Sequence, residues 1–430
     1  MGDAAQMDFF EPLDTDEVIT GGYTSDFCTT ANLNDGSIIE YFVPPSRDFA
    51  KMNQIVLHGK YSVVVKDKTT KAIRNLTDAD DDVSTANILP SALWKLVSLY
   101  VNNVNVTDHS SYYYSLKAYL ETLLNYSDKE KESYLKTFEQ WYADTDGESK
   151  RGGGNEGYTD RAALIKESKE VEFFTKLHID VFKSPRLLLN GVALKLTLHR
   201  NPVETVLISP DPTTTKTYIL KLKDLRLRIP YAVLQAEKVE AIARQLTTKP
   251  AEYPYTLVRT VSHDIPAGSS GLITRTIAQG TLPNLVLVGM IQGKRFENLK
   301  NNPFYFNNEA ISRVFFKVNG QITTPAHENI DFKADKYLSL YHHFVKTLGL
   351  SENEQFVDIT KESFKSRHCF MILDVNRCKC DRLHPPKMGN VDINLSFKKA
   401  PEDTISLIVF SLHQASMTID KERKITLNSP

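Results

Sequence analysis

The sequence has few cysteines and no long apolar segment. Its four cysteines in 430 residues, with Cys28 far from the other three, are too few for a disulfide framework and are typical of a protein from a reducing compartment. No run approaches the roughly 18 apolar residues of a membrane-spanning helix. The N-terminus lacks the basic and apolar regions of a secretory signal. We therefore expect a protein without a disulfide framework, without a membrane span and without secretion.

The composition shows no bias towards disorder. Hydrophobic residues make up 41% and charged residues 24% of the chain, values near the average for soluble globular proteins. A chain of 430 residues is too long for one ordinary core, because a domain has roughly 150 residues. These values predict a compact, soluble protein of two or three domains.

Acidic residues are concentrated near the N-terminus. The first 46 residues contain nine Asp or Glu residues and no Lys or Arg, whereas the other 384 contain 52 basic and 44 acidic residues. Residues 1–34 show no sustained periodicity, and we interpret them as an acidic arm that is ordered only where something ties it down. Two interpretations of this charge pattern stay open, docking of the arm on a neighbouring subunit and simple solubility.

The second half of the chain repeats the plan of the first half. In each half a strand pair is followed by an aromatic-rich helix and then by alternating strands. The matching segments are 97–106 and 314–322, 112–124 and 337–348, 173–182 and 369–375, and 192–198 and 391–397. The spacing between matched segments drifts along the chain, which indicates two large domains with loops of different length and excludes a solenoid.

This plan predicts an all-β fold. Many short strands, turns marked by Pro and Gly, and a few short helices are typical of antiparallel double-sheet sandwiches. About 200 residues per unit exceeds the roughly 100 of an immunoglobulin-like sandwich, so we predict tandem, or double, jelly-roll sandwiches. The expected division is an arm at 1–34, a first jelly roll at 35–215 and a second at 216–430, whose first part, 216–250, supplies a strand and a connecting helix.

Local patterns refine this prediction. Asn102-Asn103 and Asn319-Gly320 lie between β-branched and aromatic runs, which predicts tight hairpin turns. Residues 220–228 alternate leucine with charge and slip phase at Asp224, which predicts a bulged edge strand. The polar stretch 126–165 has no counterpart of equal length in the second half, and we expect a long surface loop there.

One group of residues resembles a metal site. It comprises His368, Cys369, Cys378, Cys380 and His384. Zinc sites usually use Cys pairs separated by two to four residues, and Cys378-x-Cys380 is too short for that spacing. Cys369 lies inside an apolar strand pattern, where a core role is the simpler interpretation. We therefore predict no metal and no cofactor.

No catalytic residue is predicted either. The histidines His178, His342 and His343 lack a nearby nucleophile in a strained turn. Acidic residues near strand ends, Asp180, Asp374 and Asp392, could form a glycosidase-type carboxylate pair, but a role in turns or caps is simpler.

Basic residues do not form a nucleic-acid motif. They alternate along one predicted strand at positions Lys221, Lys223, Arg226 and Arg228. Such a row could meet phosphates, but charges on an exposed strand also prevent aggregation through its edge. We favour the second interpretation.

A set of ordered motifs suggests a family. The segments are 118–126, 155–157, 161–169, 177–180, 188–192, 265–268, 302–304, 318–320 and 405–425. In content and order they resemble the double jelly-roll major capsid proteins of Polinton/Maverick elements and their viral relatives, the adintoviruses. None of these motifs is a catalytic signature, and their number and order carry the resemblance.

The resemblance implies a structural protein that is not an enzyme. Three chains would form a pseudo-hexameric capsomer, and many capsomers would tile an icosahedral shell around DNA. The implied partners are other copies of the chain, a penton or minor capsid protein, and DNA bound non-specifically. The implied location is the virion capsid, after synthesis in the host cytoplasm or nucleus, with the 1–34 arm reaching a neighbour or the shell interior.

Two other classes of function stay open. A tandem jelly-roll hydrolase acting on glycans or glycoproteins would need clustered carboxylates at the junction of the domains. A lectin-like binding module would be a monomer or small oligomer with saturable glycan binding. A vertex or minor capsid role is disfavoured by the duplication.

Overall fold

The protein is described here by a computed structural model. It describes residues 18–428 except 30, 35, 37, 78–81, 108–112, 151, 211–215, 294–297, 324, 350–358 and 376–386. The predicted all-β double jelly-roll fold is confirmed. Two units follow one another along the chain, and each consists of two antiparallel sheets packed around apolar side chains.

The first unit contains two four-strand sheets with short additions. One sheet has the order β1 (Ile19–Cys28), β12 (Lys216–Leu234), β4 (Val56–Asp67) and β9 (Val171–Lys176), with β3 (Phe49–Ala50) beside β12 and β5 (Ile73–Asn75) beside β4. The other has the order β2 (Ile39–Val43), β10 (Leu194–Arg200), β7 (Trp94–Val101) and β8 (Val104–Asn105). A small extra pair is formed by β6 (Ser84–Thr85) and β11 (Leu207–Ile208).

The second unit is built in the same way. One sheet has the order β13 (Ala251–Ile265), β20 (Ile405–Ile419), β15 (Leu285–Gln292) and β18 (Phe370–Asp374), with β21 (Ile425–Asn428) beside β20. The other has the order β14 (Ile273–Thr281), β19 (Met388–Phe397), β16 (Ile311–Val318) and β17 (Gln321–Ile322).

Helices lie in the connections. The α-helices are α1 (Leu89–Ala92), α2 (Tyr114–Asn125), α3 (Asp128–Glu130), α4 (Glu156–Leu164), α5 (Val203–Val206), α6 (Ala236–Leu246), α7 (Leu338–Thr347) and α8 (Lys361–Ser366). A π-helix spans Lys131–Glu139, and short 3-10 helices span Met52–Gln54, Lys166–Ser168 and Asp180–Lys183.

The predicted repeat is visible in the topology. The hairpins β7–β8 and β16–β17 occupy the same place in the two units, and each is followed by its helix, α2 or α7. Both hairpins turn through left-handed asparagines, with φ of 44° at Asn102 and 51° at Asn319. Asparagine tolerates this backbone region better than most residues, so the predicted turns are confirmed.

Two strands lie elsewhere than the sequence predicted. β12 pairs with β1 on one side and β4 on the other, so it completes the first unit and does not begin the second. β1 lies within the segment expected to be an arm, yet it is the first strand of that same sheet. We therefore propose that the first unit runs from Ile19 to Leu234, and that α6 connects it to a second unit beginning at Ala251.

The alternating charges of β12 explain why the position of this strand was predicted wrongly. The predicted bulge is present, with a register shift between Lys223 and Arg226 and a φ of 48° at Asp224. The predicted edge position is wrong, because alternation of leucine and charge reports one exposed face and not a free edge. The charges on that face meet acids on neighbouring strands, as in the pair of Arg228 with Asp26 at 2.8 Å.

The stretch 126–165 is also different from the expected surface loop. It contains α3, the π-helix and α4, and it buries Trp141, Tyr158 and Arg161, which are 6%, 0% and 0% exposed. These anchors are separated by polar residues, so no apolar period marks them in the sequence. The segment therefore combines buried anchors with exposed residues such as Phe138, which is 45% exposed.

Close packing at one glycine gives a testable prediction. A Cβ at Gly289 in β15 would lie 2.3 Å from a ring carbon of Phe306, which is fully buried. We expect Gly289→Ala to lower the free energy of unfolding in urea by about 1–3 kcal/mol, as other overpacked cores do. Gly21→Ala in β1 is the control, because no atom lies within 4 Å of its added Cβ. Equal stability of the two variants would contradict the described packing.

Candidate functional site

A continuous set of contacts joins the two units, and we call it the seam. The first unit contributes α2, the segment 141–161 and the connection 177–190. The second contributes β13, residues 302–305 and 366–368, and Arg423. Several motifs that are far apart in the sequence therefore meet in one place. The seam has an aromatic part, an arginine part, a charged cluster and a set of hydrogen bonds to Arg423.

The aromatic part is centred on Tyr119 of α2. Its ring stacks on Phe304 of the second unit, with centroids 4.5 Å apart and planes 3° apart, and also on Trp141 at 5.5 Å. Its hydroxyl lies 3.0 Å from Nε2 of His368. Burial, aided by the charge of Arg367, lowers the pKa of His368 to about 3. The histidine is therefore neutral at physiological pH, as its apolar surroundings require.

The arginine part is fully buried. Arg161 donates from Nη2 to Asp144 Oδ1 at 2.6 Å, from Nε to the Thr85 carbonyl at 2.8 Å and from Nη1 to the Tyr142 carbonyl at 2.7 Å. Asp144 Oδ2 accepts from Asn302 Nδ2 of the second unit at 2.9 Å. A buried charge is tolerated only with such partners. The pair therefore holds three segments of the first unit and one of the second in a fixed arrangement.

Local sequence positions this pair. Asn155 caps α4 by accepting from the Tyr158 N–H at 3.1 Å, and its Nδ2 donates to Asp144 Oδ1 at 3.1 Å. Asparagine suits both roles because it carries an acceptor and a donor. At Gly157 a Cβ would lie 2.3 Å from the Ala143 carbonyl oxygen. The motif Asn155-Glu-Gly157 thus starts α4 and brings Arg161 to Asp144.

A charged cluster lies beside the aromatic part. Lys117 Nζ lies 2.8 Å from Asp180 Oδ1, Lys183 Nζ lies 2.6 Å from Glu121 Oε1, and His178 Nδ1 lies 2.7 Å from Glu121 Oε2. The two carboxylates and Lys117 are each about nine-tenths buried or more, with side-chain exposures of 7–10%. Alternating charges of this kind stabilise one another in a region of low dielectric.

The cluster also reaches the second unit. Asp180 Oδ2 accepts from the Val258 N–H of β13 at 3.0 Å. Burial alone would raise the pKa of Glu121, but the ammonium groups of Lys183 and Lys117 and the hydrogen bond with His178 hold that pKa well below its ordinary value. Glu121 is therefore ionised at neutral pH, and its charge supports the contact between the units.

Arg423, which follows β20, is hydrogen-bonded to the first unit. Arg423 donates from Nε to the Asn190 carbonyl and from Nη2 to Asn190 Oδ1, both at 2.7 Å. The Arg423 carbonyl accepts from Asn102 Nδ2 at 2.8 Å. Gly191 follows with a φ of 73°, a left-handed conformation that favours glycine. The hairpin turn and the 188–192 motif thus hold the segment after β20.

Two of the residues considered for a metal site have structural surroundings of their own. His368 bonds to Tyr119, and Cys369 is buried, which raises the pKa of its thiol. Cys378, Cys380 and His384 lie outside the described residues. Within the part of the chain that is described, no group of three or more His, Cys, Asp or Glu residues could hold a metal ion.

The residues considered for catalysis lie in different elements of the structure. Asp180 and His178 lie in the charged cluster, whereas Asp392 in β19 accepts from Thr276 Oγ1 at 2.7 Å. Asp374 is the last residue of β18. His343 of α7 lies 3.0 Å from His327, ring nitrogen to ring nitrogen. Asp180 and Asp392 thus have separate partners, in different units.

The basic row has structural partners. Lys223 lies 2.6 Å from Glu170, and Arg228 pairs with Asp26. Sequence reasoning missed the roles of Tyr119, Asp144 and Asn302 in the seam. The one signal that could have found them is the set of ordered motifs, because Tyr119 and Asn302 lie within two of its segments.

The fold and the seam define a double jelly-roll protein whose two units are in contact. No protein-family model matches the chain. A Caenorhabditis elegans protein described as uncharacterized is 21% identical over 393 residues, which cover 89% of this chain and 91% of that protein. Within the described residues, no helix has the length and apolar character needed to cross a membrane.

Solved structures of viral capsid proteins have the same fold. The mavirus major capsid protein covers 95% of this chain and 90% of its own length, with a TM-score of 0.59 and 11% identity. A chain of the Sputnik virophage covers 99% of this chain and 91% of its own length, with a TM-score of 0.65 and 9% identity. A chain of the PBCV-1 virus capsid covers 97% of this chain and 99% of its own length, with a TM-score of 0.57 and 11% identity. The similarity extends over both units and shows a shared architecture.

The buried arginine pair gives a prediction about stability. Asp144→Ala leaves the guanidinium of Arg161 buried without its carboxylate, and we expect the free energy of unfolding to fall by about 3–5 kcal/mol. The control is Glu240→Ala in α6, because Glu240 and Arg244 are 65% and 77% exposed. That change should cost no more than about 0.5 kcal/mol. Chemical denaturation of both variants measures the difference, and similar losses would contradict the role of the pair.

The charged cluster gives a prediction about folding stability at low pH. The pKa of Glu121 is lower in the folded protein than in the unfolded chain. The ionised carboxylate therefore contributes fully to folding stability at pH values above the unfolded pKa of about 4.3. This contribution to stability is lost as the pH falls through the folded pKa. Glu121→Gln should therefore be less stable than the wild type at pH 7, with a difference that shrinks in acid. Denaturation curves between neutral pH and about pH 3 test this, and a difference independent of pH would refute it.

Proposed function

We propose that this protein is a major capsid protein. The observation that carries the proposal is the pair of jelly rolls with identical strand order, fixed to each other by the seam and similar over their whole length to viral major capsid proteins. Hydrogen bonds across the seam hold the two jelly rolls of this subunit together.

The duplication supports a trimeric capsomer. Three copies of a two-unit chain present six similar units, which fill a near-hexagonal site in a closed lattice. Many such trimers would tile an icosahedral shell around DNA. The seam matters for this arrangement because it fixes the angle between the two units of each chain.

The ordered motifs support the narrower proposal of a Polinton/Maverick or adintovirus capsid. Its partners would be further copies of the chain, a penton or minor capsid protein, and DNA bound without sequence preference. The protein would be made in the host cytoplasm or nucleus and then reside in the virion capsid. It would use no cofactor.

We also propose that the protein is not an enzyme. The hydrolase alternative needs clustered carboxylates at the junction of the units, and Glu121 and Asp180 are indeed there. Both are paired with lysines, and the pKa of Glu121 is lowered, whereas an acid catalyst for glycoside hydrolysis needs a raised pKa. Their geometry supports structure, and no observation favours glycan binding.

The first experiment is light scattering of the purified protein after size exclusion, with negative-stain electron microscopy of the same fractions. We expect the mass of three chains, or hollow round shells in the void fraction. A monomer at all salt concentrations and pH values would overturn the proposal.

The acidic N-terminal segment is tested by a deletion. Because β1 is part of the first sheet, the deletion stops before it and removes only residues 1–17. These residues include six acids and no base. We expect folded trimers that form shells poorly, measured by electron microscopy and sedimentation. Shells in normal yield would remove any role of this segment in assembly.

A further inference from the structure

Two histidine side chains of the second unit meet outside the seam. Nε2 of His327 lies 3.0 Å from Nδ1 of His343, and the ring planes are 35° apart. His327 belongs to the connection between β17 and α7, whereas His343 is a residue of α7. The fold thus brings two nitrogen ligands together from separate segments of the chain.

The position of His327 is fixed by its main chain and by a second side chain. Its N–H donates to the Val314 carbonyl, and its own carbonyl accepts from the Val314 N–H, both at 3.0 Å. Its Nδ1 lies 3.0 Å from the Ser339 hydroxyl oxygen. Ser339 and His343 are four residues apart in α7 and therefore lie on the same side of the helix. Both ring nitrogens of His327 thus contact α7.

This arrangement is typical of a metal-binding histidine. Such a histidine presents one ring nitrogen to the metal, and a hydrogen bond at the other nitrogen fixes the tautomer and the orientation of the ring. In His327 that second bond is the one to Ser339. When its Nδ1 carries the proton and donates to Ser339, its Nε2 presents a lone pair on the side of His343.

The distance between the two nitrogens fits a shared metal ion. Zinc binds imidazole nitrogen at about 2.0–2.1 Å, so two such ligands at an angle of about 90–110° are about 2.8–3.4 Å apart. The observed 3.0 Å lies within this range. A bound ion lies to one side of the line between the nitrogens, so each ring has to rotate from its hydrogen-bonded orientation.

Exposure leaves room for further ligands from solvent. His327 is 6% exposed, whereas His343 is half-buried and Ser339 is exposed. An ion held by two protein ligands would therefore complete its coordination with water on the open side of the pair.

The surroundings indicate the class of ion. Lys346, three residues after His343, is exposed and places a positive charge near it. Glu328, the carboxylate next to His327 in the chain, is paired with Arg313 at 2.8 Å. Mg²⁺ and Ca²⁺ require oxygen ligands, whereas imidazole suits Zn²⁺, Ni²⁺ and Cu²⁺. The pair thus favours a divalent transition-metal ion.

We propose that His327 and His343 form a binding site for one such ion, represented by Zn²⁺. The ion would join α7 to the connection that precedes it and would hold this helix on the second unit. It would be a structural ligand and not a cofactor of a reaction. Because a single chain contains both histidines, the site is independent of a capsid role.

Calorimetric titration of the metal-free, full-length protein with Zn²⁺ tests the site. His343→Gln removes one ligand but keeps a side chain that can hydrogen-bond to His327. His342→Gln is the matched control, because His342 is the neighbouring residue and is exposed. We expect His343→Gln to bind Zn²⁺ at least about tenfold more weakly than the wild type, since even the loss of an outer hydrogen-bond partner has that effect. The control should bind as the wild type does.

A second variant keeps the test informative if His343→Gln does not fold. Ser339→Ala changes an exposed side chain and removes only the hydrogen bond that orients His327. We expect it to fold normally, as measured by circular dichroism, and to bind Zn²⁺ about tenfold more weakly. Binding of Zn²⁺ at other residues is common to all four proteins, so the differences report on the pair.

Thermal unfolding gives an independent measurement. A ligand that binds only the folded protein raises Tm, so saturating Zn²⁺ should raise the Tm of the wild type and of His342→Gln more than that of His343→Gln. If the wild type binds no Zn²⁺, or if all four proteins bind it with equal affinity, the proposal is wrong and the two histidines form a hydrogen bond only.

Discussion

The buried pair of Arg161 and Asp144 is the interaction on which the arrangement of the molecule depends. A guanidinium without access to water must have all its strong donors satisfied, or its burial costs several kcal/mol. Its partners come from separate segments of the first unit, and Asp144 takes a further bond from Asn302 of the second unit. Hydrogen bonds have preferred directions, whereas apolar contacts do not. The bond from Asn302 to Asp144 therefore constrains direction as well as distance at this contact between the units.

The other parts of the seam act around this pair. Tyr119 and Phe304 supply stacked apolar area, and Asp180 joins the charged cluster to the main chain of β13. Each part uses residues from both units, so neither sandwich presents a complete surface alone. The two jelly rolls therefore share a contact surface although each has its own sheets.

The sequence predicts the local elements of this fold well. A hairpin turn depends on neighbouring residues, so the turns at Asn102 and Asn319 could be found by inspection. The partner of a strand depends on residues far away, and β1 and β12 were placed wrongly because alternation looks the same in an edge and a central strand. The seam was missed for a similar reason. Asp144 lies in a polar stretch of the sequence, where nothing marks it as buried. Its burial depends on partners from elsewhere in the chain, Arg161 and Asn302.

The covalent connection between the two units gives the seam a different thermodynamic status from a contact between separate chains. Within a chain the linker α6 keeps the two units at a high effective concentration, so the seam forms with folding and does not depend on how much protein is present. A contact between separate chains has no such tether and pays the entropy of association. In the proposed trimer, duplication would place half of the contacts of the ring within single chains, where they form with folding.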